Sequence, residues 1–162
     1  MKTAIVYYSM SGNVKSVAEK LGEKLDADLI EIKPVKAFPD SGFKKFLWGG
    51  KSAVMGEKPA LEPYSFNADK YDTVIIGSPV WASGFAPPVR TFLSDNKDKL
   101  LTKKLTAFFC QSGNGAEKAE KKMCALLGIE CLSASLVLID PLTKTNGENE
   151  EKINTFAEKI SA

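Results

Sequence analysis

The residues best placed to do chemistry lie where an apolar run gives way to a helical repeat: Ser9-Met10-Ser11-Gly12-Asn13-Val14. The first backbone N–H groups of a helix have no intrahelical acceptor, and the aligned peptide dipoles leave that end positive, so it favours an anion. Gly12 permits close backbone approach, and the Ser9 and Ser11 hydroxyls add donors. A phosphate ringed by N–H groups needs no arginine or lysine. On this segment alone a second reading stands beside the first, in which Ser11 merely caps a helix at a tight turn. The spacing matches neither Gly-x-Gly-x-x-Gly nor Gly-x-x-x-x-Gly-Lys, which argues against a dinucleotide fingerprint and a nucleotide-hydrolysing loop.

Two further segments follow apolar runs. Gly77-Ser78-Pro79-Val80-Trp81-Ala82-Ser83-Gly84-Phe85-Ala86-Pro87-Pro88 reads as a loop leading into a helix with proline in its first turn. Trp81 in such a place either plugs the end of the core or stacks on a flat ring. Cys110-Gln111-Ser112-Gly113-Asn114-Gly115 is small and polar, a turn whose two glycines also admit a ligand against the backbone.

The composition limits what such segments can do. With no histidine in the chain, a Ser-His-Asp triad, a Cys-His pair and a histidine metal ligand are all excluded. The three cysteines, Cys110, Cys124 and Cys131, form no Cys-x-x-Cys pair, and their odd number fits a reducing, cytoplasmic setting. Any chemistry is therefore expected from a bound cofactor rather than a side chain, and no catalytic residue or metal ligand is assigned. Cys110, at the end of an apolar run, is expected to pack rather than react. A net charge of +2 with interleaved lysines and acids indicates no nucleic-acid partner. No apolar run is long enough to cross a bilayer, and the first residues lack the features of a secretory signal.

The elements that must position these segments alternate between strand and helix. Ala4-Ile5-Val6-Tyr7-Tyr8 is a continuous apolar run suited to a strand buried on both faces, and Val14, Val17, Ala18, Leu21 and Leu25 recur at helical spacing after it. Further strands are expected at 29–32, 73–77, 105–110 and 132–139. A helix carrying Ala119, Met123, Leu126 and Leu127 ends at Gly128, and a C-terminal one buries Ile153, Phe156, Ala157 and Ile160. Residues 34–70 are rich in proline and glycine. Within them Phe43, Phe46, Leu47, Gly50, Ala53 and Val54 follow Ser41 at helical spacing and suggest a covering helix, although Gly49-Gly50 opposes it. Alternation of this kind implies one domain of 162 residues, a three-layer α/β fold with a parallel sheet between helices. Ligands of such sheets sit beyond the carboxyl ends of the strands, where the three segments fall.

Together the three segments resemble the loops of the flavodoxin-like family, and the resemblance runs along nearly the whole chain. Ser9-Met10-Ser11-Gly12-Asn13-Val14 is similar to the FMN-phosphate loop Ser/Thr-x-Thr-Gly-x-Thr, Gly77-Ser78-Pro79-Val80-Trp81 to the loop on one side of the isoalloxazine, and Cys110-Gln111-Ser112-Gly113-Asn114-Gly115 to the loop on the other. The resemblance implies FMN as cofactor and five parallel strands in the order 2-1-3-4-5. It also implies cofactor contacts from Ser9, Met10, Ser11, Gly12, Asn13 and Val14, from Ser78, Pro79, Val80, Trp81 and Ala82, and from Cys110, Ser112, Gly113 and Asn114. Three departures accompany it. Val14 replaces a hydroxyl residue, no aromatic residue stands between Gln111 and Gly115, and the chain is slightly basic where shuttle flavodoxins are strongly acidic.

An electron-transfer protein is the first expectation, its partner a redox protein or a small-molecule acceptor. An NAD(P)H-dependent quinone or flavin oxidoreductase on the same fold is the second, with Lys44, Lys45 and Lys51 either greeting a dinucleotide phosphate or forming a solvated face. A regulatory or interaction module that uses flavin little is the third. The aromatics between residues 43 and 48 suit either core or a subunit interface, so the oligomeric state stays open.

Overall fold

The computed structural model describes residues 1–38, 51, 56–145 and 147–162. The expected helix between Phe43 and Val54, with Lys44 and Lys45, lies outside them except for the exposed, helical Lys51. Strand β1 (Thr3–Tyr7) is buried at all five positions, as its unbroken apolar run requires. It runs through residues 9–12 into α1 (Asn13–Leu25), then to β2 (Asp28–Glu31). After a short 3-10 turn (Ala68–Lys70) come β3 (Thr73–Trp81), β4 (Gly84–Phe85), α2 (Pro87–Leu100) and β5 (Lys104–Gln111). The chain closes with α3 (Ala116–Leu127), β6 (Ala134–Ile139) and α4 (Gly147–Ser161).

The parallel strands lie in the order β2-β1-β3-β5-β6, with β4 pairing only to the end of β3. With that short strand set aside, this is the expected 2-1-3-4-5 order. In β1, Ile5 and Tyr7 face a core shared with Val14, Val17 and Leu21 of α1 and with Ile153 and Phe156 of α4. Ala4 and Val6 face the opposite core, with Val89, Phe92 and Leu93 of α2 and Ala119, Met123 and Leu127 of α3. Alternation along a strand thus supplies both layers. Glycine is required at Gly77, because a Cβ there would lie 2.3 Å from the Phe108 ring and 2.9 Å from Tyr7 Cβ.

One expectation is corrected. Residues 78–81 are strand, not loop: β3 pairs with β5 as far as Pro79 opposite Cys110, and Val80 and Trp81 then pair antiparallel with Phe85 and Gly84. The apolar run ends at Gly77 and a proline follows, so the local signal pointed to a loop. The hairpin exists because β4 folds back on β3, a pairing that periodicity does not encode.

Candidate functional site

At the carboxyl ends of β1, β3 and β5 the three connections enclose a cleft of about 310 Å³, at the small end of the roughly 300–1,000 Å³ usual for ligand pockets. Its first wall is the β1–α1 turn. Gly12 caps α1 with φ 95°, a conformation that disfavours side chains, and a Cβ there would sit 3.3 Å from Leu142 Cδ2. The capping hydroxyl belongs to Ser9 rather than Ser11: Ser9 Oγ accepts from the N–H of Gly12 at 3.2 Å and of Lys15 at 3.1 Å. Sequence spacing favoured Ser11 as the residue next to Gly12, but the turn curls so that Ser9 reaches across the helix end.

The backbone N–H groups of Ser11, Asn13 and Val14 have no acceptor among the described residues. No acid stands in the first turn of α1, so the positive end of its dipole is uncompensated. This donor set fits a phosphate group. Asn13 Oδ1 is committed elsewhere, accepting from the Leu142 N–H at 2.9 Å and tying the turn to the connection after β6. The Val14 side chain is buried in the α1–α4 core, so the missing hydroxyl leaves its backbone N–H in place.

The second wall is the β3–β4 hairpin. Both residues of its two-residue turn have positive φ, Ala82 at 47° and Ser83 at 56°. This is the signature of the turn type whose twist suits a hairpin, usually built from Asn-Gly. Non-glycine residues there cost roughly 1–2 kcal/mol each, a strain held by packing. Trp81 lines the cleft and meets Tyr8 edge-on at 5.7 Å and Phe38 at 5.4 Å, so it both closes the core and walls the site. Burial pushes the Tyr8 phenol up to about 12.

The third wall is the β5–α3 connection. Gln111 Oε1 accepts from the Ala116 N–H at 2.9 Å and so caps α3, while the Ser112 hydroxyl donates to Asp140 Oδ1 at 2.9 Å. Gly115, with φ 106°, lies directly beneath the hairpin: a Cβ there would come within 3.0 Å of Ser83 Cα and Oγ. Burial first, and the Asp140 carboxylate second, raise the Cys110 thiol to about 12, so it remains a protonated packing group.

The structure gathers Ser9, Met10, Ser11, Asn13, Val14, Pro79, Val80, Trp81, Ala82, Cys110, Ser112, Gly113 and Asn114 around this one cleft, with Gln111 beside them. Gly12 and Ser78 do not reach its wall. Ser78 is fully buried and holds the hairpin instead, its Oγ accepting from the Ala86 N–H and donating to Pro79 O, both at 2.9 Å. Sequence reasoning missed Asp140 and Leu142, which brace two walls from the connection after β6. The only signal was an acid at the carboxyl end of the last strand, in Ile139-Asp140-Pro141. Among the described residues no group of three or more acidic, histidine or cysteine side chains could hold a metal ion.

The model of one protein family, flavodoxin, matches residues 2–150 of this chain. The chain belongs to the flavodoxin family. Among similar solved structures is a flavoprotein from Lactobacillus acidophilus NCFM in complex with FMN. It is 26% identical with a TM-score of 0.74, over 87% of this chain and 94% of that one. A putative flavoprotein from Bacteroides eggerthii DSM 20697 is 20% identical with a TM-score of 0.78, over 99% of this chain and 98% of that one. Oxidised flavodoxin 1 from Bacillus cereus is 16% identical with a TM-score of 0.58, over 99% and 97%. The last two likenesses concern the fold alone. Among the described residues of this flavodoxin-family chain, no helix is long and apolar enough to cross a membrane.

Proposed function

We propose that this flavodoxin-family protein binds FMN in the cleft and transfers electrons between partners in the cytoplasm. The observation that carries the reading is the set of N–H groups at Ser11, Asn13 and Val14, without an acceptor among the described residues, at an acid-free helix start beside a cleft with one aromatic wall. Bound FMN would supply the redox chemistry. The chain's own residues bind and orient: the 9–14 turn takes the phosphate, Trp81 and Val80 cover one side of the ring, and the 110–114 backbone covers the other. The pairing of β3 with β4 and β5 sets the separation of the two walls between which FMN would lie. Membership of the family and the FMN complex of the Lactobacillus acidophilus relative support this reading. Purified protein loaded with FMN should retain it through gel filtration; loss of all flavin in that step refutes the proposal.

One observation favours a second reading, an NAD(P)H-dependent quinone or flavin oxidoreductase. The wall from Gln111 to Asn114 has no aromatic residue, and a side chain added at Gly113 would meet nothing within 4 Å. That face is accessible to a reductant or an acceptor as well as to a redox protein. NADPH oxidation with a quinone acceptor separates the readings, since turnover no faster than with free FMN leaves the carrier role.

A further inference from the structure

A second cavity, of about 440 Å³, lies between α3 and the segment joining it to β6. Glu117, Glu120, Lys121 and Cys124 recur at helical spacing along one side, and Ile129 and Cys131 stand on the other. The chain reverses sharply there. Gly128 leaves α3 at φ 71°, its N–H donates to Ala125 O at 3.2 Å, and the Ile129 N–H donates to Cys124 O at 3.0 Å. This is the hydrogen-bond pattern of a Schellman stop, and it returns the following residues to the turn that holds Cys124. Leu132, buried in the α2–α3 core, brings its backbone N–H towards the Cys124 thiol, and Cys124 and Cys131 line the same cavity. The amide nitrogen of Leu132 is only two bonds from Cys131 Cα, so the chain carries Cys131 to the side of the cavity that faces Cys124. Cys124 is buried, Cys131 is exposed, and both thiols are free.

We propose that Cys124 and Cys131 form a redox-reactive dithiol that a hydroperoxide converts into an intramolecular disulfide. Exposed Cys131 reacts first. Its thiolate attacks one peroxide oxygen, an S–O bond forms as the O–O bond breaks, and the departing oxygen leaves as water or an alcohol after taking a proton. The Cys124 sulfur then attacks the sulfur of Cys131. The S–S bond forms, the S–O bond breaks, and the hydroxyl leaves as water with the proton given up by Cys124. Two thiols lose two electrons and one peroxide gains them.

The order follows from the surroundings. Burial, followed by the Glu120 carboxylate, raises the Cys124 thiol, with the Leu132 N–H opposing them. Cys124 is therefore the poorer first nucleophile, but it is held in place to resolve the intermediate. Cys110 belongs to the cleft, which neither of the other two cysteines lines. The resulting link would pin the segment before the edge strand β6 to α3, independently of what occupies the cleft.

Trypsin places Cys124 and Cys131 in one peptide, residues 123–144, and Cys110 in another, residues 105–118. Native protein is treated with hydrogen peroxide, quenched, unfolded, alkylated, digested and weighed by mass spectrometry. The expected result is a 123–144 peptide that is unalkylated, lighter by two hydrogens and restored by dithiothreitol, with Cys110 alkylated as in untreated protein. Cys124→Ser should leave a sulfenic acid on Cys131 that dimedone traps, and Cys131→Ser should leave Cys124 fully alkylatable. The proposal is overturned if the wild-type peptide alkylates fully after peroxide, if wild-type molecules link to one another instead, or if Cys124 oxidises equally fast in Cys131→Ser.

Discussion

Replacing Gly115 by alanine should destabilise the protein far more than the same change at Gly113, two residues earlier in the same connection. At Gly115 the backbone has φ 106° and ψ −11°, beyond even the small left-handed region open to L-residues at φ of about +50 to +70°. Holding a side chain there costs about 1–3 kcal/mol. The new Cβ would also lie 3.0 Å from Ser83 Cα and Oγ and 3.2 Å from Val80 Cγ1. Ser83 Cα belongs to a turn already at positive φ, so it has little freedom to give way. Backbone strain and crowding together should cost about 3 kcal/mol, or roughly 6–12 °C in Tm at about 2–4 °C per kcal/mol for a chain of this size. At Gly113 a Cβ meets nothing within 4 Å and no left-handed φ is needed, so alanine should change stability by about 0.5 kcal/mol or less. Thermal denaturation followed by circular dichroism reads both variants. If they melt within a degree or two of each other, the hairpin does not rest on Gly115 as described. Because the hairpin is one wall of the cleft, Gly115→Ala should also weaken FMN binding in a fluorescence titration, about tenfold for each 1.4 kcal/mol lost from the bound state.

Three further outcomes follow from the same contacts. Ser9→Ala removes the acceptor for two helix-start N–H groups and should lower stability by about 1 kcal/mol, whereas Ser11→Ala should have little effect on the apo protein; denaturant titration distinguishes them, and equal losses would refute the Ser9 cap. Thr106 carries the one buried side-chain polar atom without a partner among the described residues, so Thr106→Val should raise stability by about 1 kcal/mol, and a loss in denaturant titration would mean that the hydroxyl is satisfied. Cys110, Tyr7 and Tyr8 keep their protons to about pH 12 when folded, against ordinary values of 9.0 for the thiol and 10.0 for the phenols. The unfolded chain therefore releases those protons first. Their contribution is complete below about pH 9 and should be lost as pH rises towards 12, a decline that denaturant midpoints measured across the range would show and Cys110→Ala would reduce at its lower end.

Much of this architecture is legible in local sequence because the signals are strong and short-ranged. The continuous apolar run at residues 4–8 announces a strand buried on both faces, and the 3.6-residue recurrence from Val14 to Leu21 announces the helix packed on it. A polar turn with Gly12 between them can be read as an anion-binding helix start, since unpaired N–H groups belong to every helix N-terminus. The strand order and the cofactor came only from the resemblance of the loops to a known family.

Other features depend on contacts between distant residues, which no local pattern carries. Ser78 stands in the expected loop, yet its hydroxyl turns inward because β4 brings the Ala86 N–H against it. Ser9 rather than Ser11 caps α1 because the turn bends across the helix end. Asp140 and Leu142 brace walls more than two dozen residues away, and Cys131 meets the groove of Cys124 because Gly128 reverses the chain. The sequence by itself determined the five parallel strands, the helices α1 to α4 and the chemistry available at their junctions, since those follow from neighbouring residues, but not the β3–β4 hairpin. Tertiary structure alone decided which side chains face the cleft, because a side chain's direction depends on the strand or loop packed against it.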